Sequence, residues 1–217
     1  MTTLLYTQAE FFRRIRFAER PFFNLLPYRR ESMDGGGNAI GNRRGQPKWT
    51  FTVRTAGGRH DADLEIAAQC RALIGRNAGF LAYDLRRPWP AADPGGDTVS
   101  GYGGTIRVNA KGSDNRSLSL KNMPIAPLSV GDMIAVKNDD GYRQILSVAE
   151  AAGVNSSDTT SLFQVQPFLP SWVQVNDEVT LFRASMMFRI LADSFSPPTG
   201  SGNTSGGLSF TAISVSR

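Results

Sequence analysis

Beyond Gly104 the sequence is cut by Gly, Pro, Asn and Asp into short runs, and this punctuation narrows the fold more than any other feature. Short apolar or alternating runs bounded by turn residues read as strands, and a close succession of them points to sandwich or barrel modules. Residues 105–109, 118–121, 133–137, 142–148 and 162–166 are expected as strands. The third and fourth flank Asn138-Asp139-Asp140-Gly141, a hairpin turn in which Asp-Gly tolerates positive φ. Residues 179–191, with Phe182, Met186, Met187, Phe188 and Ile190, read as one longer strand, and 208–215 as the last. Upstream, Trp49, Phe51 and Val53 alternate with Lys48, Thr50, Thr52 and Arg54, the period of a half-buried strand, and residues 79–84 supply another.

One helix interrupts the pattern, at 61–74. Asp61, Asp63 and Glu65 suit its positive N-terminal end, Arg71 and Arg76 suit the other, and Gly75 is expected as the residue just past the end. Ile66, Cys70, Leu73 and Ile74 share one face, which makes Cys70 a small core hydrophobe rather than a nucleophile. The breaker-rich stretches 33–47 and 194–207 are expected as flexible loops. The Gly/Pro/Asp stretch that follows Arg87-Pro88-Trp89-Pro90 and reaches Gly104 is the best internal boundary. The fold class expected is therefore mainly β with one packed helix.

Composition excludes several classes of function. With one Cys and one His in 217 residues, neither a disulfide framework nor a site built from several His or Cys residues is possible within the chain. No apolar run approaches the ~20 residues that span a bilayer, and Met1-Thr2-Thr3-Leu4-Leu5-Tyr6 has no basic, apolar leader pattern. A soluble protein made in a reducing compartment is expected, and the sequons at Asn115, Asn155 and Asn203 carry no weight there. Charge is uneven: residues 1–90 hold 15 Lys/Arg against 8 Asp/Glu, and residues 91–217 hold 9 against 11. Such asymmetry marks a nucleic-acid footprint, a surface that meets an acidic partner, or a solvated basic face.

No catalytic constellation stands out, and no enzyme, cofactor or metal site is expected. His60 precedes the acidic start of the helix and reads as a surface loop residue, and no Gly-x-Ser-x-Gly elbow exists to use it. Asp139/Asp140 and Asp177/Glu178 are adjacent carboxylates, whereas acid–base pairs must face each other across a cleft. Gly101-Tyr102-Gly103-Gly104 comes before a strand instead of between a strand and a helix, so it is turn punctuation and not a dinucleotide loop.

The order of segments is similar to that of a known family. A Gly-rich loop leads to Gln46-Pro47-Lys48-Trp49-Thr50-Phe51-Thr52-Val53. The helix ends in Cys70-Arg71-Ala72-Leu73-Ile74-Gly75-Arg76, followed by Ala78-Gly79-Phe80-Leu81-Ala82-Tyr83-Asp84 and a proline-rich turn. Later come Leu128-Ser129-Val130-Gly131-Asp132-Met133-Ile134, Ile145-Leu146-Ser147-Val148 and Phe163-Gln164-Val165-Gln166-Pro167-Phe168-Leu169. From Phe22 onward this resembles the distal tail protein family of long-tailed bacteriophages and gene transfer agents. The resemblance implies a β-sandwich domain with a packed helix, residues 1–90 and 176–217, forming a hexameric ring at the tail tip. It implies a small inserted barrel or galectin-like domain at 91–175. The partners implied are further copies of the chain, the tail tube protein and hub or baseplate proteins, in a virion tail made in the bacterial cytoplasm. Neither nucleic-acid sequence recognition nor membrane insertion is implied.

The residues ahead of Phe22 have no counterpart in the resemblance and are expected as an added arm. Phe11, Phe12, Arg13, Arg14, Phe22 and Phe23 are the residues expected at a subunit interface, because Phe and Arg are both enriched there. Two alternatives stay open. One is glycan binding on a platform drawn from Trp89, Tyr102, Tyr142 and Trp172. The other is single-strand nucleic-acid binding by an OB-like barrel, suggested by a sequence pI near 9.7.

Overall fold

Alternation along the strands decides which face of each sheet is buried. The computed structural model describes residues 3–27, 29–33, 39–43, 45–58, 60–124, 127–201 and 204–215. In chain order, β1 (Leu4–Tyr6) and β2 (Asn24–Leu26) precede a ribbon of β3 (Arg29–Met33) and β4 (Ala39–Arg43). Then come β5 (Lys48–Arg54), α1 (His60–Gly75), β6 (Gly79–Tyr83) and the five-residue α2 (Asp97–Gly101). Six strands follow: β7 (Ile106–Lys111), β8 (Ser117–Lys121), β9 (Met133–Lys137), β10 (Arg143–Val148), β11 (Phe163–Gln166) and β12 (Glu178–Thr180). The chain ends with β13 (Ser185–Ile190), the short pair β14 (Gly200–Ser201) and β15 (Thr204–Ser205), and β16 (Ser209–Ser214).

Twelve of these strands form two units, a six-stranded sheet in the order β1-β6-β13-β16-β5-β2 and a closed barrel in the order β10-β11-β8-β7-β12-β9. The protein is mainly β, with one long helix and a small barrel, as its sequence leads one to expect. Every barrel pair is antiparallel, and β9, β10 and β11 are successive neighbours with β12 returning beside β9, a Greek key. The barrel is inserted between β6 and β13, which pair with each other in the sheet. Among the described residues, no helix is long and apolar enough to cross a membrane.

On the sheet's core face Trp49, Phe51 and Val53 of β5 join Phe80, Phe188 and Phe210. Helix α1 covers this face with Ile66, Ala67, Cys70 and Leu73, while Ile74 is only half-buried. The helix stops in a Schellman turn: Ala78 N–H donates to Leu73 O and Asn77 N–H to Ile74 O. The left-handed residue there is Asn77, with φ 48°, and not Gly75, which lies two residues earlier as the last of the helix. Asn takes this conformation because its short polar side chain tolerates it.

The barrel is filled by its own side chains, including Val108, Leu120, Ile134, Val136, Leu146 and Phe163. Alternate residues of the β9–β10 hairpin, Met133, Ala135 and Ile145, point the other way and belong to the core of the sheet. This hairpin is therefore buried on both faces. Trp49 Nε1 donates to Ile145 O at 2.9 Å, and Gln144 Nε2 reaches the same carbonyl. The linker after β6 is fastened by Asp132, which is fully buried and accepts from Ala91 N–H and Ser129 N–H, and by Arg87 Nη1, which donates to Val130 O.

Five expectations are corrected. The run 179–191 is two strands: β12 closes the barrel against β7 and β9, and after a turn at Arg183 (φ 51°) β13 enters the sheet. The barrel thus extends through Thr180, beyond the expected limit at 175. The stretch 33–47 is not all loop, because Ala39–Arg43 pairs with Arg29–Met33; residues 34–38 and 44 lie outside the described ones. The stretch 194–207 contains the β14/β15 pair and a bridge between Ser196 and Ser209. In both cases the strands meet through backbone hydrogen bonds, which need no alternating apolar face. Helix α2 forms inside the expected Gly/Pro/Asp loop because Asp93 accepts from the N–H groups of Thr98 and Val99.

Trp49→Phe removes one bond to a carbonyl that keeps Gln144, and it is expected to cost about 1 kcal/mol. Asp132→Ala removes the shared acceptor of two part-buried N–H groups and the fully buried side chain that carries it, and is expected to cost about 2–3 kcal/mol. Denaturant unfolding of the two variants checks the order, and a smaller loss for Asp132→Ala refutes its fastening role.

Candidate interaction surfaces

The structure separates the expected interface residues into two groups. Phe11, Phe12 and Phe23 lie in this chain's own core and have no surface left for a neighbour. Phe11 meets Phe80 edge-on at 4.8 Å between ring centroids, Phe12 meets Tyr83 at 5.5 Å, and Phe23 stacks on Phe51 at 5.0 Å. Their placement at a subunit interface is therefore overturned. The cause is a 3-10 turn at Phe12–Arg14, which points Phe11, Phe12 and Ile15 inward and Arg13 and Arg14 outward. The i, i+1, i+4 spacing of those apolar residues was the readable signal. Arg14 ties this segment to α1 through Glu65 at 2.6 Å. Phe22 stays exposed, with the Arg86 guanidinium 4.2 Å from its ring centroid.

The four aromatic platform residues form two separate groups. Tyr142 and Trp172 are half-buried and tilted against each other at 6.0 Å, with Trp172 packed on the barrel core. Trp89 and Tyr102 are exposed, and each lies near Phe182. Gly96 makes this approach possible, because a Cβ there would lie 2.8 Å from the Phe182 ring and 3.2 Å from Trp89 Cβ, and its φ of 76° also suits glycine. Tyr102 and Phe182 line a depression of about 170 Å³ together with Thr105 and Glu178.

Polar chemistry is dispersed. Asp139 and Asp140 stand at the exposed tip of the β9–β10 hairpin, where Asp140 accepts from Asn138 Nδ2. Asp177 accepts from Gln174 N–H, and Glu178 pairs with Lys137 at 3.2 Å. Neither pair of carboxylates faces its mate across a cleft. His60 is the first residue of α1, not a loop residue before it, and its side chain lies outside the described ones. Among the described residues no three His, Cys, Asp or Glu gather as a metal site would require. Cys70 is fully buried, and burial pushes its thiol up to about 12.

Sequence reasoning missed the surfaces where sheet and barrel meet. A cleft of about 500 Å³ lies between Leu25, Pro27 and Pro47 on one side and Gln166, Pro167 and Phe168 on the other. A second, of about 260 Å³, is lined by Leu4, Leu81, Met187, Lys137 and Arg143. Strands β1 and β2, which border these clefts, are too short to show a period, so only the flanking prolines marked one of them.

Comparison with known proteins finds no family whose model matches this chain and no curated relative.

Cys70 supplies a pH test. The unfolded thiol ionises near its ordinary value of 9.0, whereas the folded one keeps its proton to about 12. Above pH 9 the unfolded state binds fewer protons, so stability falls as pH rises, by up to about 1.4 kcal/mol per pH unit. Cys70→Ala is expected to lack this slope relative to the wild type in denaturant titrations at pH 8 to 11. Equal slopes would show that the thiol is not desolvated.

Proposed function

We propose that this chain is a structural subunit of a phage-type tail tip, assembling as a hexameric ring that joins the tail tube to hub or baseplate proteins. The observation that carries this reading is the insertion of a closed barrel between the paired strands β6 and β13 of a sheet-and-helix unit. It is the arrangement that the resemblance to distal tail proteins leads one to expect. The dispersed polar chemistry is in keeping with a part that works by contact. The excess of Lys and Arg in residues 1–90 supplies a charged face for a differently charged neighbour. In this reading the protein resides in the virion tail.

Saccharide binding is a second reading, favoured by the exposed Trp89 and Tyr102 around Phe182. Sugars stack on such rings. A glycan array that binds wild type and loses the signal with Trp89→Ala would select it.

Light scattering coupled to size exclusion, with negative-stain imaging of the main peak, tests the ring. Six copies in a closed ring are expected. A species that stays monomeric into the millimolar range refutes it.

A further inference from the structure

The core face of the six-stranded sheet is covered by α1 and the β9–β10 hairpin, so every second residue of its strands points to the opposite, open face. On β5 these are Lys48, Thr50, Thr52 and Arg54, alternating with the buried Trp49, Phe51 and Val53. On β16 they are Ser209, Thr211 and Ile213, and on β13 Met187 and Arg189. Pairing sets them side by side. Arg54 stands opposite Ser209, Thr52 opposite Thr211 and Thr50 opposite Ile213, with Asn24 of β2 beyond Thr50 and Arg189 beyond Ile213. The Oγ1 atoms of Thr52 and Thr211 are 3.1 Å apart.

The six strands contain no Asp or Glu, and their cations, Lys48, Arg54 and Arg189, all lie on the open side. Every aromatic ring of these strands packs in or against the core, so the open face carries none. Acidic residues stand in the connections. Asp84 is buried on the N–H groups of Phe23 and Arg86, and Glu10 accepts from Thr7 N–H. Glu19 and Asp193 are exposed beyond the strands, and Asp139 and Asp140 at the hairpin tip are accompanied by Lys137 and Arg143. The cations are dispersed: Lys48 and Arg54 are about 20 Å apart along β5, and Arg189 is two strands away, about 10 Å across the sheet. So spaced, they do not converge on one small anion and instead match the separate charges of an extended polyanion. Phosphate backbones are held by Arg and Lys together with Ser, Thr and Asn, which is the inventory of this face. A protein partner calls for aromatic anchors and a saccharide for rings to stack on, and the face offers neither.

We propose that the open face of the sheet binds the phosphate backbone of double-stranded nucleic acid, with Lys48, Arg54 and Arg189 on phosphates and the hydroxyls of Thr50, Thr52, Ser209 and Thr211 donating between them. This goes beyond the ring reading and does not depend on it, and it uses the sheet rather than the barrel. Backbone contacts carry no sequence information, so binding is independent of sequence. Phosphate neutralisation releases counterions, which makes such binding weak at physiological salt, on the order of 10⁻⁴ to 10⁻⁶ M, and steeply salt-dependent. With no ring for bases to stack on, a single strand gains nothing over a duplex, whose charge density is higher.

The test is fluorescence anisotropy of the full chain with labelled duplexes of about 30 base pairs and unrelated sequence, titrated between about 50 and 200 mM salt. Equal affinity for the different sequences is expected. Lys48→Gln with Arg54→Gln, both exposed in the wild type, is expected to weaken binding about tenfold or more and to lower the log–log salt slope by about one for each cation removed. Arg189→Gln is expected to lower the slope by about one again. Arg13→Gln with Arg71→Gln removes two exposed cations from the helix side of the sheet and is expected to change neither quantity. Thermal melts confirm that the variants fold. Equal losses from the two double variants reveal general charge attraction and overturn the assignment to this face. Absence of duplex binding at the lowest salt, or tighter binding of a single strand of the same length, also overturns it. So does polyglutamate that competes as well as duplex at equal charge, which marks an acidic protein as the partner.

Discussion

The two-sided burial of the β9–β10 hairpin holds the two units in one fixed relation. Its inward residues, Ile134, Val136 and Leu146, fill the barrel, and its outward residues, Met133, Ala135 and Ile145, complete the core of the sheet. A strand buried on one face already has its register set by that face, and one enclosed on both must satisfy two cores with the same register. The Trp49 indole and the Asp132 carboxylate then fix the orientation with directional bonds that hydrophobic contact alone does not provide.

Much of this was legible beforehand where side-chain pattern and burial coincide. The hairpin at 133–148, the alternation on β5 and the bounds of α1 follow from periodicity and turn chemistry. The reading failed where pairing depends on backbone alone or on distant partners. The ribbon Arg29–Met33/Ala39–Arg43 shows no alternation, and the break between β12 and β13 sits at Arg183, a residue with no turn signature. The Phe/Arg segment was misplaced because aromatic density is equally a mark of cores and of interfaces. Only tertiary contact with Phe80 and Tyr83 decides between them.

The clefts left for partners lie at the seams of the fold and not on its broad faces. Both larger clefts occur where sheet edge meets barrel wall, and both carry cationic groups above apolar floors. Such seams are hard to find from sequence because each is assembled from segments more than a hundred residues apart. Leu25 and Phe168 share a cleft without sharing any local pattern. The aromatic arc around Phe182 is of the same kind, created by a glycine that lets two loops touch.

The placement of the barrel also bears on the order of folding. Ser185 pairs with Tyr83 about a hundred positions earlier, so β13 can find β6 only after a long loop has closed. Closing that loop as an open coil carries a large entropic penalty and slows the search. A barrel that has already folded brings its entrance and exit together and shortens the effective loop to a few linker residues. The inserted unit then acts as an intramolecular template for the sheet, and damage to the barrel delays formation of a sheet whose own strands are untouched.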